Sequence, residues 1–197
     1  ATGLGDMTKL NMPACRSAET MNEEVIKIEE KHYFAYGSNM NLNQMAFRCP
    51  DAEVVEPVRL EGYCLAFRMS GGGNGVATIL PKEGSSLEGV LWRISKRDEQ
   101  RLDRYEGFPY LYGKEAVTVI TLDGVRREIM AYTMNSPFKD VPALPSSSYL
   151  EGILCGCRQN GINTAPVLEA VRRTQQELPG EAVPQKKPRH RKSGDER

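Results

Sequence analysis

The 197-residue chain contains few of the side chains on which metalloenzymes and nucleophilic enzymes rely. Its two histidines, His32 and His190, are far apart in the sequence. The five cysteines are scattered, odd in number and without a CxxC pair, which argues against a disulfide framework. We therefore expect that an enzyme built from this chain works without a zinc site, a Ser-His-Asp triad or a bound dinucleotide.

Neither sign of charge predominates, because 26 Lys and Arg residues balance 26 Asp and Glu residues. This balance argues against a chain that chiefly binds nucleic acid or an anionic membrane. No apolar run approaches the roughly 18 to 20 residues of a membrane span, and no secretory signal is recognised at the N-terminus. The cysteines are interpreted as free thiols in a reducing compartment, which predicts a cytoplasmic location.

Composition divides the chain into three segments. Residues 1–30 show no sustained periodicity and do not begin with Met, so they are expected to be a poorly ordered or partly vector-derived N-terminal extension. Residues 31–178 carry dense apolar periodicity and are expected to form one domain. Residues 179–197 contain the basic run 185–192 and are expected to be a disordered tail, with a weak contact to polyanions as the alternative.

Between residues 31 and 178 the sequence predicts strands and a smaller number of helices. The predicted strands are 32–36, 54–59, 63–69, 76–80, 87–94, 116–122 and 128–134. Helical spacing begins at Leu42, a capping box opens a second helix at Ser95, and two further helices cover 146–157 and 163–178. These elements predict a mixed α/β (α+β) domain with a small curled sheet or barrel of six or seven strands.

The first candidate site is the segment Tyr36–Met40. A buried strand runs into a glycine-containing turn and then into a helix start, an arrangement that can direct consecutive backbone N–H groups toward a carboxylate or a carbonyl oxygen. The alternative is an ordinary strand–turn–helix junction in which Ser38 or Asn39 caps the helix.

The second candidate is Glu106, at the end of a short helix and close in sequence to several tyrosines and a phenylalanine. A carboxyl among aromatic side chains loses solvation, so its pKa rises and it can exchange protons near neutral pH. The alternative is a helix-end acid that faces solvent. Three other acids are equally eligible by composition: Glu88, Glu115 and Glu151.

A third candidate is a set of tyrosines that end or lie within predicted strands, namely Tyr36, Tyr112 and Tyr132. Tyrosines in strands usually pack in the core or at its rim, and this is the default interpretation. The alternative is that they line a pocket and offer hydroxyl groups to a ligand.

Five short segments occur in an order that is typical of one family. They are 33–40 (YFAYGSNM), 75–79, 88–92, 102–107 (LDRYEG) and 149–161. Together they resemble the γ-glutamylcyclotransferases over roughly residues 32–165. The related γ-glutamylamine cyclotransferases typically carry Tyr-Gly-Thr-Leu at the loop, so Ser38-Asn39 favours the former group.

The resemblance implies a mixed parallel and antiparallel barrel flanked by helices, often as a homodimer. It implies cofactor-independent release of 5-oxoproline from a small γ-glutamyl substrate, with Glu106 as the acid and base. It also implies a substrate-binding set that consists of Tyr36, Gly37, Ser38, Asn39, Met40, Tyr112 and Tyr132. Tyr110 is the alternative to Tyr112, because the match needs a one-residue gap after Glu106.

Three other functions are compatible with the same residues. The segment 149–161 also resembles the cyclotransferase that removes a γ-glutamyl protecting group in aminoglycoside biosynthesis. A non-catalytic member of the fold that binds a small molecule or peptide is a second alternative, and a hydrolase that releases free glutamate is a third.

Overall fold

The computed structural model describes residues 31–178, and the expectations for residues 1–30 and 179–197 lie outside this range. Five strands form a closed barrel in the order β1-β3-β2-β4-β5. Their bounds are β1 Lys31–Ala35, β2 Glu53–Met69, β3 Gly75–Ile94, β4 Tyr112–Ile120 and β5 Arg126–Met134. The barrel closes through a parallel pairing of β1 with β5, and the other strand pairs are antiparallel, so the predicted mixed barrel is confirmed.

The expected strand number of six or seven is wrong, because two pairs of predicted strands are continuous. β2 passes through Gly62, and β3 passes through Pro81. A register shift between Glu61 and Tyr63 lies beside the pairing of Tyr63 with Pro81. An irregular pairing there accommodates a proline, which has no N–H for the ladder, so the hairpin continues where the sequence suggests a stop.

Four α-helices flank the barrel: α1 Leu42–Arg48, α2 Lys96–Glu106, α3 Ser147–Gln159 and α4 Ala165–Glu177. The capping box at the start of α2 is formed as predicted, with the amide of Asp98 donating to Ser95 Oγ over 3.1 Å. α2 ends at Gly107, whose φ of 66° places it in the left-handed region. Short 3₁₀ turns cover Ser38–Met40 and Phe138–Asp140.

The hydrophobic core fills the barrel and extends outward under α3 and α4. Phe34, Phe67 and Leu91 are fully buried in the barrel, and Ile153 and Val167 bring the two helices onto the same core. Burial of these side chains provides the main favourable term for folding. No helix between residues 31 and 178 is long and apolar enough to cross a bilayer.

Candidate active site

A cavity of about 210 Å³ lies at the end of β1, beside the Ser38–Met40 turn. Side chains and backbone from β1, the turn, β3, α2, β4, β5 and α3 contribute to its wall. Its lining residues are Tyr33, Tyr36, Gly37, Ser38, Asn39, Val76, Ala77, Tyr105, Glu106, Leu111, Tyr112, Tyr132 and Tyr149. Glu106 supplies the one carboxylate in this lining, which contains no lysine or arginine.

Most residues predicted from the sequence meet at this cavity. Tyr36, Gly37, Ser38, Asn39, Glu106, Tyr112 and Tyr132 all line it. Met40 does not line it, because its side chain is buried in the core. Tyr110 is 83% exposed and lies outside the lining, so of the two tyrosines left open by the sequence the cavity contains Tyr112.

The tertiary structure also separates Glu106 from the acids that composition could not exclude. Glu88, Glu115 and Glu151 are exposed, and Glu151 pairs with Arg158 on the surface of α3. Glu106 lies partly buried at the end of α2, with its carboxyl against the turn after β1.

The turn after β1 keeps two backbone N–H groups available. The amides of Met40 and Asn41 donate to the carbonyls of Gly37 and Ser38 over 3.0 and 3.1 Å. The amides of Ser38 and Asn39 have no acceptor in the part of the chain that the structure describes. These two donors form a small site for a carboxylate or an oxyanion beside the cavity.

The alternative that Ser38 or Asn39 caps α1 is wrong. Asn41 caps this helix instead, since its Oδ1 accepts from the amide of Gln44 over 3.1 Å. The carbonyl of Asn39 is held from the barrel side, where Trp92 Nε1 donates to it over 3.1 Å.

Helix α3 supports the turn from behind, which accounts for the motif at 149–161. A Cβ built on Gly156 would meet the backbone of Met40 at 2.7 Å, so the helix packs against the turn only because this residue is glycine. Asn160 Nδ2 donates to the carbonyl of Met40 over 2.9 Å, and Gln159 Oε1 accepts from the amide of Leu42 over 2.9 Å.

The carboxyl of Glu106 is held by a side-chain amide of the turn. Asn39 Nδ2 donates to Glu106 Oε1 over 2.8 Å and to the hydroxyl of Tyr33 over 2.9 Å. Burial raises the pKa of Glu106 from 4.5 to about 7, although the Asn39 amide and the positive charge of Arg48 oppose the rise. A carboxyl with this pKa can both accept and return a proton near neutral pH.

The three predicted tyrosines direct their hydroxyl hydrogens to protein atoms. Tyr36 donates to the carbonyl of Tyr132, Tyr112 donates to the carbonyl of Ala77 over 2.6 Å, and Tyr132 donates to Asp103 Oδ1 over 2.6 Å. Burial raises the pKa of each of the three phenols, so all three stay neutral at physiological pH. They line the cavity mainly with their rings and leave no hydroxyl hydrogen free for a ligand.

Two further tyrosines, which the sequence did not single out, accept hydrogen bonds from the protein. Tyr33 accepts from Asn39, and Tyr149 accepts from the amide of Ala77 over 3.1 Å. Tyr33 donates to no acceptor within residues 31–178, Tyr149 shares a hydrogen bond with the Ser38 hydroxyl, and burial raises the pKa of both phenols. Both phenols therefore stay neutral and present a hydroxyl group at the cavity, and no local sequence pattern marks them.

The described residues bring no three His, Cys, Asp or Glu side chains into a group that could hold a metal ion. The two buried thiols lie elsewhere in the structure, and burial raises their pKa, to about 12 for Cys49 and about 11 for Cys157. The polar groups of the cavity lining are a carboxyl, phenols, the Ser38 hydroxyl, the Asn39 side-chain amide and backbone amides.

Comparison with known proteins gives the same assignment as the motifs. The family model "Gamma-glutamyl cyclotransferase, AIG2-like" matches residues 33–151. The chain is 33% identical over 137 residues to the gamma-glutamylcyclotransferase of Bos taurus, covering 66% of this chain and 71% of that protein. The protein of the same name from Homo sapiens is 32% identical over the same length, with the same coverage.

A solved structure described as "Gamma-glutamyl cyclotransferase" shares the fold, with a TM-score of 0.63 and 28% identity. The match covers 79% of this chain and 92% of that one. The chain belongs to the γ-glutamyl cyclotransferase, AIG2-like family of enzymes, and the resemblance drawn from the five sequence segments is confirmed.

Proposed function

We propose that this chain is a γ-glutamylcyclotransferase that converts a γ-glutamyl amino acid or peptide into 5-oxoproline and a free amine. The observation that carries the proposal is the carboxyl of Glu106, which has a pKa of about 7 and lies in a cavity beside two unpaired amides. Membership of the family supports the reaction type.

The reaction needs only proton transfer and positioning, because the substrate contains its own nucleophile. The α-nitrogen attacks the γ-carbonyl carbon, a ring C–N bond forms, and the original γ-amide C–N bond breaks. An intramolecular attack avoids most of the entropy of encounter, which is worth about 7 to 11 kcal/mol in well-oriented cases. The protein must therefore fold the glutamyl chain into the closing geometry and move two protons, one at a time, from the α-nitrogen to the departing nitrogen.

Glu106 performs both proton transfers in this mechanism. Its carboxylate takes a proton from the α-ammonium group, since only the free amine attacks. The resulting carboxylic acid returns that proton to the departing amine. After the attack the ring nitrogen still carries one proton more than the lactam N–H has, so the carboxylate takes this second proton and passes it to the released amine, which leaves as an ammonium ion. The α-nitrogen thus loses two protons, the departing nitrogen gains two, and the enzyme ends in its initial state. A pKa near 7 suits this double role, because neither protonation state is strongly disfavoured at neutral pH.

The remaining polar groups of the cavity bind the glutamyl part of the substrate. The amides of Ser38 and Asn39 receive the α-carboxylate or the oxyanion that develops on the γ-carbonyl. The hydroxyls of Tyr33 and Tyr149 supply two further polar groups. The lining contains no lysine or arginine, so neutral donors rather than a salt bridge recognise the substrate.

The test is product identification by mass spectrometry after incubation with a γ-glutamyl dipeptide. We expect 5-oxoproline and the free amino acid in equal amounts, and at least about 100-fold slower formation of both by a Glu106→Gln variant. Free glutamate as the product would instead indicate the hydrolase. Binding of the dipeptide without any product would indicate a non-catalytic binding protein.

A parallel incubation with a γ-glutamylated amine of the aminoglycoside type separates the two cyclotransferase substrates. Preference for the dipeptide supports the proposal, and preference for the γ-glutamylated amine overturns its substrate class while keeping its reaction. The homodimer and the cytoplasmic location stay predictions, and light scattering of the purified chain tests the first.

A further inference from the structure

The guanidinium group of Arg48 lies behind the turn and outside the cavity lining. It contacts three elements at once. Nη1 donates to Ser38 Oγ over 3.1 Å and to Asn39 Oδ1 over 2.6 Å, and Nη2 donates to Gln44 Oε1 over 2.7 Å. Its carbon Cζ lies 3.8 Å from the ring centre of Tyr105, the residue that precedes Glu106. Arg48 therefore joins the turn to the end of α2.

These contacts fix which way the Asn39 amide faces. A guanidinium group can only donate hydrogen bonds, so the atom of Asn39 that it contacts must be the carbonyl oxygen. The amide nitrogen is then turned toward Glu106 and lies 2.8 Å from Oε1. Without Arg48 the amide could rotate and place its oxygen against the carboxylate, which would repel it.

The charge of Arg48 acts on Glu106 in the same direction as this hydrogen bond. The other titratable groups that line the cavity with the carboxyl are six phenols: Tyr33, Tyr36, Tyr105, Tyr112, Tyr132 and Tyr149. A phenol carries no charge at neutral pH, and burial raises the pKa of Tyr33, Tyr36, Tyr112, Tyr132 and Tyr149. Asp103, one turn earlier on α2, is engaged by Lys114 and by the hydroxyl of Tyr132. Arg48 is thus the cation that favours the carboxylate form of Glu106.

We propose that Arg48 is a positioning residue, which acts through Asn39 to aim the Glu106 carboxyl and to keep it ready to accept a proton. This inference rests on the proposed cyclotransferase function. Arg48 lies outside the cavity lining, so its contribution is expected in kcat and in the pH dependence rather than in KM.

The main experiment compares Arg48→Met with the wild type across a pH series of kcat/KM for a γ-glutamyl dipeptide. Methionine keeps much of the apolar stem and removes both the charge and the donors. We expect kcat at pH 7 to fall by about tenfold or more. We also expect the acidic limb of the kcat/KM profile to move up by roughly one pH unit. An unmoved limb in a folded Arg48→Met variant overturns the proposal.

Arg48→Lys separates charge from geometry and guards against a variant that does not fold. Lysine keeps the positive charge but cannot reproduce the planar fork that reaches two side chains. We expect its acidic limb to stay near the wild-type position while kcat falls by a smaller factor. A limb displaced as far as in Arg48→Met would contradict a role for the charge.

Arg104→Met is the matched control, because this arginine lies on α2 two residues before Glu106 and is exposed. Its side chain makes no hydrogen bond or ion pair with residues 31–178, so we expect an unchanged profile. A profile that moves as much as in Arg48→Met would show a nonspecific effect of net charge and would overturn the proposal.

A readout without turnover distinguishes failure of this inference from failure of the proposed function. The pKa of Glu106 is measured directly by 13C NMR of carboxyl-labelled protein, with Glu106→Gln identifying the signal. We expect Arg48→Met to raise this pKa and Arg104→Met to leave it unchanged. If the wild type forms no 5-oxoproline, the proposed function fails, while an unchanged Glu106 pKa in Arg48→Met refutes the positioning role alone.

Discussion

The two sides of the cavity use their polar groups differently. The loop side consists of Ser38, Asn39 and Glu106, and the strand side consists of Tyr36, Tyr112 and Tyr132. On the strand side every phenol donates its hydrogen to a protein acceptor. On the loop side two backbone amides have no acceptor within residues 31–178, and a carboxyl is held partly buried with a raised pKa.

In the proposed mechanism this difference separates the groups that take part in the reaction from those that shape the cavity. Polar groups whose hydrogen bonds are already made within the protein rigidify a site, and their removal changes ligand binding little. Unsatisfied donors and a desolvated carboxyl cost stability unless a ligand uses them. We therefore expect substitutions on the loop side to impair turnover and substitutions on the strand side to affect mainly stability.

The largest effect is expected from Glu106→Gln on the loop side. Glutamine keeps the shape but cannot accept a proton, so loss of general acid–base catalysis should lower kcat by about 10²- to 10⁴-fold. The measurement is the rate of 5-oxoproline release at pH 7, with circular dichroism as the check on folding. Turnover close to the wild-type rate would remove Glu106 from its role.

The same substitution should stabilise the protein at high pH. The folded-state pKa of Glu106 is raised from 4.5 to about 7, so the folded state binds the proton more tightly and loses stability as pH rises through this window. Above pH 7 the cost approaches about 3 kcal/mol, since each pKa unit corresponds to about 1.4 kcal/mol.

Chemical unfolding at pH 4 and at pH 8 measures this cost. We expect the free energy of unfolding of Glu106→Gln to exceed that of the wild type at pH 8 and the two values to converge at pH 4. A difference independent of pH would contradict the raised pKa.

Gly156→Ala should impair the loop side from a distance. The added methyl group would lie 2.7 Å from the backbone of Met40 and of Asn41, so α3 or the turn must move. Overpacking of this kind costs about 1 to 3 kcal/mol, and displacement of the turn should also lower kcat. Thermal unfolding and kinetics measure both effects.

Gly71→Ala is the control for the added methyl group, because nothing lies within 4 Å of the position where its Cβ would be. It should leave turnover unchanged. Equal losses in Gly71→Ala and Gly156→Ala would show that packing of α3 against the turn is not the cause.

The smallest effects are expected from the loss of single hydroxyl groups. Two substitutions, Tyr149→Phe and Tyr132→Phe, compare a hydroxyl that lines the cavity beside the turn with one that donates to Asp103. Tyr149→Phe removes a hydroxyl group that lines the cavity beside Ser38, so we expect KM to rise by about two- to tenfold, equivalent to one neutral hydrogen bond of about 0.5 to 1.5 kcal/mol. Tyr132→Phe removes a bond to Asp103, which keeps its contact with Lys114.

Tyr132→Phe should therefore leave KM unchanged and lower stability slightly. Michaelis–Menten kinetics and thermal unfolding of both variants decide the comparison. A larger rise in KM for Tyr132→Phe than for Tyr149→Phe would reverse the assignment of the two tyrosines.

Much of the fold could be predicted from the sequence because the signals are local. The capping box at Ser95, the left-handed Gly107 and the proline near the start of α4 mark helix ends through backbone chemistry that acts over a few residues. The strand number could not be predicted, because Gly62 and Pro81 usually interrupt strands. Pairing along the whole length of β2 and β3 carries both strands past these residues.

The sequence by itself determined the family and most residues of the cavity, since the motifs around Tyr36 and Glu106 keep a recognisable order. Only the tertiary structure showed that Glu106 is partly buried while Glu88 is exposed, because burial depends on which distant segments cover a side chain. It also brought Arg48 against the ring of Tyr105 and Tyr149 against the amide of Ala77, contacts between residues that are far apart in sequence. Desolvation and hydrogen-bond geometry arise between segments that meet only when the barrel closes, and no local pattern of residues encodes them.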